Sequence, residues 1–156
     1  MDSAAVCLAM DDWLAGHADL RVIAVFAALP GEVDLAGFVA RHPGRCWVYP
    51  RVAGRSLTFH AVDDPIEQCV AGAFGILEPA GQLAEIPLDR IDAFLCPGLA
   101  FDACGGRLGR GLGYYDRMLA MAPRSTLKVG VCFSYQRVPD TFSEPHDIAM
   151  DSVISD

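Results

Sequence analysis

At 156 residues with 53% hydrophobic content and a mean hydropathy of +0.30, the chain is long enough for one domain with a full core and too short for two ordinary ones. It carries 12 Lys and Arg against 20 Asp and Glu, a net charge of −8, which excludes a general nucleic-acid binder because phosphate contacts need a basic face. Any anion site must therefore be local.

In chain order, Val6, Met10, Trp13 and Leu14 recur at helical spacing and predict an amphipathic helix over 3–17, capped by Asp2 or Ser3. The β-branched run 20–29, bounded by Asp19 and Pro30, reads as a central strand. Residues 32–42 return to helical spacing, with Glu32 and Asp34 placed in the first turn, where the helix dipole favours negative charge. The runs RCWVYPRV and RSLTFHAV, separated by Ala53-Gly54, are compatible with a hairpin, and a short helix is expected near 65–71. AFGILEP follows, then a loop through Pro87. Residues 91–98 form a second strong strand closed by Pro97-Gly98, GYYDRMLAMA reads as a helix, and 127–133 as a third buried strand. This alternation predicts an α/β fold, a single domain over 1–156 whose mixed, mostly parallel sheet has helices on both faces, with ligands gathered at the carboxyl ends of strands.

The six cysteines, at 7, 46, 69, 96, 104 and 132, form no CxxC pair and no zinc-ligand spacing. They read as reduced, buried small hydrophobes, which points to a cytoplasmic compartment. The N-terminal stretch has no basic leader, and Asp11 and Asp12 break its apolar run, so neither a signal peptide nor a membrane span is expected.

Five glycines and three arginines crowd into residues 100–119. A glycine-rich turn between strand and helix lets backbone N–H groups approach an anion, the following helix adds its positive end, and Arg107 and Arg110 can clamp phosphate oxygens. From Gly106 the spacing is GxxGxGxG, which is neither the Walker loop nor GxGxxG. The residue chemistry gives a phosphate site of an unusual kind, with a plain glycine-rich connector as the alternative.

PGLAFDACGGRLGRGLGYYDR (97–117) resembles the signature of the 5-formyltetrahydrofolate cyclo-ligase, or methenyltetrahydrofolate synthetase, family. GEVDL, VYPRV, LTFHAV and FGILEP upstream, and LKVGVCFSYQ and PHDIAMDSVIS downstream, resemble its other landmarks, so the likeness runs from about residue 20 to the end. The resemblance implies an enzyme that uses ATP and Mg²⁺ to close 5-formyltetrahydrofolate to 5,10-methenyltetrahydrofolate, releasing ADP and phosphate. Carried over by residue, it implies that Arg107, Leu108, Gly109, Arg110, Gly111, Leu112, Gly113, Tyr114 and Tyr115 form the nucleotide loop, with Arg107, Arg110 and Tyr114 in catalytic positions. Asp116 and Asp147 match metal positions, and Glu32, Pro50, Phe74, Ile76 and Tyr114 match the folate pocket. It also implies a small-molecule substrate, no nucleic-acid or membrane partner, and a monomer or weak dimer.

Two positions depart from the family pattern. The family's first helix carries Lys and Arg in a KxxLR pattern that reaches the ATP phosphates, whereas the first basic residue here is Arg21. Leu112 stands where Lys or Gly is usual. Both changes remove phosphate affinity, so the expected alternatives are a cyclo-ligase with impaired activity and a non-catalytic folate- or nucleotide-binding relative.

Overall fold

The computed structural model describes residues 2–156. Helix α1 (Ser3–Ala15) starts where the Asp2 carboxylate accepts the Ala4 amide at 2.9 Å, and it buries Val6, Cys7, Met10 and Leu14 at the expected spacing. The central sheet has seven strands. At its middle lies β1 (Val22–Ala24), parallel on one side to β2 (Cys46–Ala53) and on the other to β7 (Ala93–Cys96). Beyond β7 come β10 (Leu127–Val131) and β11 (Ser152–Ile154), both parallel. Beyond β2 come β3 (Ser56–Ala61) and β6 (Glu85–Ile86), each antiparallel to its inner neighbour. The α/β, mixed and mostly parallel architecture is as the sequence predicts.

Alternating side chains divide the core into two layers. Ile23, Trp47, Tyr49, Ala93 and Leu95 face one side with α1 and with α2 (Ala36–Arg41). Ala24, Val48, Phe94 and Cys96 face the other, packed against Met118 and Leu119 of α4 (Tyr114–Met121). Strands buried on both faces account for the high hydropathy of a chain that is also strongly acidic.

Several expectations are corrected. Strand β1 is shorter than the run 20–29: after the Val25 amide bonds to the Val48 carbonyl at 2.9 Å, the chain leaves the sheet and its apolar residues line a cavity instead. Helix α2 begins at Ala36, so Glu32 and Asp34 precede it, and Asp34 accepts the Ala36 amide at 3.0 Å. Segments read as loop contain short strands: β6 before Pro87, and β8 (Ala100–Phe101) paired with β9 (Arg107–Leu108) inside the glycine-rich stretch. Of the cysteines, Cys7, Cys96 and Cys132 are buried, but Cys46 and Cys104 are exposed and Cys69 half-buried; all six are free. Burial pushes the Cys96 thiol up to about 12 and Cys132 up to about 11, so neither is a nucleophile near neutrality.

The short helix near 65–71 resolves into α3 (Pro65–Gln68) followed by β4 (Cys69–Ala71), which pairs with β5 (Leu77–Pro79) as a separate two-stranded ribbon. No helix among the described residues is long and apolar enough to cross a membrane.

Candidate functional site

Chain order puts the site at one place. From β1 the chain moves to β2 on one side, and later returns to add β7 on the other, so the order reverses between β1 and β7. Such a reversal leaves a crevice at the carboxyl ends of the strands. A cavity of about 710 Å³ opens there, walled by Phe26, Ala27 and Leu29 after β1, Pro97 and Gly98 after β7, and the whole segment from Arg107 to Asp116.

Within the glycine loop, Gly113 precedes α4 with φ of 72°, a left-handed backbone that favours glycine, while an added Cβ would meet only the movable end of the Arg117 side chain. Among the described residues, no side chain caps α4. Its first amides are left for whatever occupies the cavity.

Arg107 on β9 is 8% exposed. Its Nη1 donates to the Pro97 carbonyl at 2.9 Å, Nη2 lies 4.0 Å from Asp116 Oδ2, and the guanidinium sits 5.2 Å from the Tyr115 ring centroid. Its Nε is buried without a hydrogen-bond partner, an uncommon and costly state for a charged group. Tyr115 is the packing member of the tyrosine pair, and burial pushes its hydroxyl far above the usual phenol range. Tyr114 faces outward along the cavity, and its hydroxyl donates to the Gly54 carbonyl at 3.4 Å. Arg110 is half exposed and pairs with Glu32 at 3.4 Å. Leu108 and Leu112 expose apolar side chains on the same wall.

Asp116 and Asp147 come from segments far apart in sequence. Asp116 Oδ1 accepts the amide of Ile148, next to Asp147, at 3.4 Å, and both carboxylates line the cavity. Asp147 also accepts the Glu144 amide at 2.7 Å and lies 3.4 Å from His146 Nε2. Among the described residues no group of three or more His, Cys, Asp or Glu could hold a metal on its own. Two hard carboxylates beside a glycine-rich loop nonetheless have the chemistry that suits Mg²⁺, which keeps waters and takes oxygen ligands.

Across the cavity, the Glu32 side chain is nearly buried and also accepts the Leu29 amide at 3.1 Å. Pro50 on β2, together with Phe74 and Ile76 between β4 and β5, completes that side. Phe74 adopts φ of 60°, a left-handed conformation that is strained for an aromatic residue, and the residue is 63% exposed. All the site residues expected from sequence line this one cavity.

Three residues were not singled out from sequence. Glu78 lines the cavity and accepts the Val52 amide at 2.7 Å, tying the β4–β5 ribbon to β2. Its place in FGILEP was the available signal. His146 lies beside Asp147 in the PHD run that was read for its Asp alone. Asp102, outside the cavity, accepts the Cys104 and Gly106 amides, each at 2.9 Å, and both the amide and hydroxyl of Thr141, at 3.0 and 2.7 Å. It pins the start of the loop to the C-terminal segment that carries Asp147.

The profile of the 5-formyltetrahydrofolate cyclo-ligase family matches residues 39–156. The Escherichia coli K12 5-formyltetrahydrofolate cyclo-ligase is 32% identical over 145 residues, which cover 86% of this chain and 78% of that protein. The chain belongs to the 5-formyltetrahydrofolate cyclo-ligase family. The Mycolicibacterium smegmatis cyclo-ligase is 38% identical over 55% of this chain, and the match spans 45% of that relative's length. Among solved structures, Aquifex aeolicus 5,10-methenyltetrahydrofolate synthetase superposes with a TM-score of 0.84 at 31% identity, covering 98% of this chain and 77% of that one. The family assignment agrees with the resemblance carried by the glycine loop, and the superposition agrees with the predicted architecture.

Proposed function

We propose that the chain is an ATP- and Mg²⁺-dependent cyclo-ligase that converts 5-formyltetrahydrofolate to 5,10-methenyltetrahydrofolate with release of ADP and phosphate. The carrying observation is that a glycine–arginine loop, two carboxylates and a largely apolar wall border a single cavity. Joining two substrates needs one shared space, and orientation there can supply much of the acceleration.

In this reading the α4 amides, Arg107 and Arg110 hold the nucleotide phosphates, and the unpartnered Arg107 Nε receives a phosphate oxygen. Asp116 and Asp147 hold Mg²⁺. When bound, the ion neutralises charge that builds on the transferring phosphoryl group. Arg110 leaves its pair with Glu32 as phosphate binds, and Glu32 turns to the folate between Phe74, Ile76 and Pro50. Tyr114, at the junction of the two halves, orients the reacting groups.

A second reading, a relative that binds folate without efficient catalysis, draws on Leu112, which places an uncharged side chain on the wall formed by the glycine loop. Calorimetric titration separates the two readings at the binding step. The cyclo-ligase reading expects Mg²⁺-dependent ATP binding together with binding of 5-formyltetrahydrofolate; folate binding with no nucleotide binding would favour the second.

A further inference from the structure

The turn that follows the β4–β5 ribbon is held from outside the cavity. It runs from Ala80 to Leu83 and is closed by the Leu83 amide on the Ala80 carbonyl at 3.1 Å. Two side chains of the central sheet grip its ends: Arg51 of β2 donates through Nη1 to the Ala80 carbonyl at 3.0 Å, and His60 of β3 meets the Leu83 carbonyl through Nδ1 at 2.9 Å. A carbonyl can only accept, so Nδ1 carries the proton; in the neutral ring Nε2 then accepts the Thr58 hydroxyl, 2.8 Å away. Both ring nitrogens are thus satisfied in a residue that is 1% exposed.

His60 does not line the cavity. Tyr49 lies opposite it and Arg51 opposite Thr58, so these four share one sheet face, the one on which Tyr49 joins the layer of α1 and α2. Pro50, Val52 and Leu57, which do line the cavity, alternate with them onto the other face. The imidazole therefore reaches the cavity only through the turn. That turn continues directly from β5, whose Glu78, with Phe74 and Ile76 before it, forms part of the cavity wall. The ribbon lies outside the central sheet, and beyond the turn β6 pairs with β3 over only two residues. Besides the apolar packing of Cys69 and Leu83, three side-chain bonds fasten the ribbon and its turn to the sheet among the described residues: Glu78 to the Val52 amide at 2.7 Å, Arg51 to Ala80, and His60 to Leu83. An apolar side chain at position 60 would fill the same space, but only a donor fixes where the turn sits.

We propose that His60 is a positioning residue: oriented by Thr58, it holds the turn at Leu83 and so keeps the wall of Phe74, Ile76 and Glu78 in place for the folate, while the nucleotide side of the cavity does not depend on it. This rests on the folate reading of that wall. Asparagine is the conservative variant, because its amide nitrogen occupies the position of Nδ1 and can donate to the same carbonyl. Leucine fills similar space and cannot donate.

The test is equilibrium binding of 5-formyltetrahydrofolate, and separately of ATP with Mg²⁺, to the parent chain, His60→Leu and His60→Asn, together with amide hydrogen exchange and thermal unfolding. His60→Leu should weaken folate binding by about three- to tenfold, the loss of one neutral hydrogen bond, and leave ATP affinity within about twofold. Exchange over residues 69–83 should quicken by a similar factor, with β1, β2 and β7 exchanging as in the parent. His60→Asn should return folate affinity to within about twofold of the parent. Unchanged folate affinity in folded His60→Leu, equal losses of folate and ATP affinity, or His60→Asn as weak as His60→Leu each overturns the positioning role. Should His60→Leu fail to fold, Thr58→Val, which removes the hydroxyl that orients the ring, is read the same way, and parent-like folate affinity and exchange there overturn the proposal. Failure of the parent to bind 5-formyltetrahydrofolate overturns the proposal together with the folate reading, whereas the other outcomes leave that reading standing.

Discussion

Arg107 donates through Nη1 to the Pro97 carbonyl at 2.9 Å, which fixes the most buried cation of the glycine loop to the turn that ends β7. The bond leaves Nε buried and unpartnered, so a nucleotide oxygen would relieve a desolvated donor. Arg107→Gln should lower affinity for ATP with Mg²⁺ by about ten- to a hundredfold in calorimetric titration, the loss of one charged hydrogen bond. Equal affinity of variant and parent would remove Arg107 from the phosphate clamp.

Leu112 is 52% exposed on the cavity wall, so a lysine there can place its ammonium near the phosphates without being buried. Leu112→Lys should raise ATP affinity or turnover by about three- to tenfold through one added cation against oxygens that gain charge. Folate affinity should stay within about twofold. An unchanged nucleotide response in an active protein would show that Leu112 does not limit the site.

If Asp116 and Asp147 share one Mg²⁺, their effects must couple. Asp116→Asn and Asp147→Asn should each raise the Mg²⁺ concentration needed for half-maximal ATP binding by about tenfold, and the double variant should cost less than the sum. Fully additive losses would assign the carboxylates to separate tasks.

Asp102 offers a stability test outside the cavity. The hydroxyl and amide of Thr141, then the amides of Gly106 and Cys104, hold its carboxyl down from 3.8 to about 2. A depressed folded-state value means that the stabilisation is fully present above the unfolded carboxylate range and is lost as pH falls from about 4 through about 2. Asp102→Asn should cost about 1.5–3 kcal/mol at neutral pH and flatten the decline across that acidic window, as read by denaturant unfolding. Parallel pH curves for parent and variant would show that Asp102 does not govern the decline.

The sequence was most informative where function concentrates residues locally. Glycine spacing, Arg107, Arg110 and Asp116 fall within one short stretch whose chemistry can be read directly, and the family likeness added Glu32, Phe74 and Asp147. Periodicity marked the buried strands but misjudged 25–29, because apolar residues that wall a cavity look like those that pack inside a sheet. It missed β8, β9 and β11, each two or three residues long, whose pairing depends on distant chain. Contacts across long separations left no local trace: Asp102 with Thr141 spans 39 positions, and Arg117 with the Arg55 carbonyl spans 62.

The central claim is tested most directly by mixing the purified chain with 5-formyltetrahydrofolate, ATP and Mg²⁺ and following the absorbance of 5,10-methenyltetrahydrofolate. Product should accumulate over many turnovers, stop when either ATP or Mg²⁺ is withheld, and appear with one ADP per product. With a neutral Leu112 on the cavity wall, the rate should rise in Leu112→Lys. Tight binding of 5-formyltetrahydrofolate with no product at saturating ATP and Mg²⁺ would contradict the cyclo-ligase assignment.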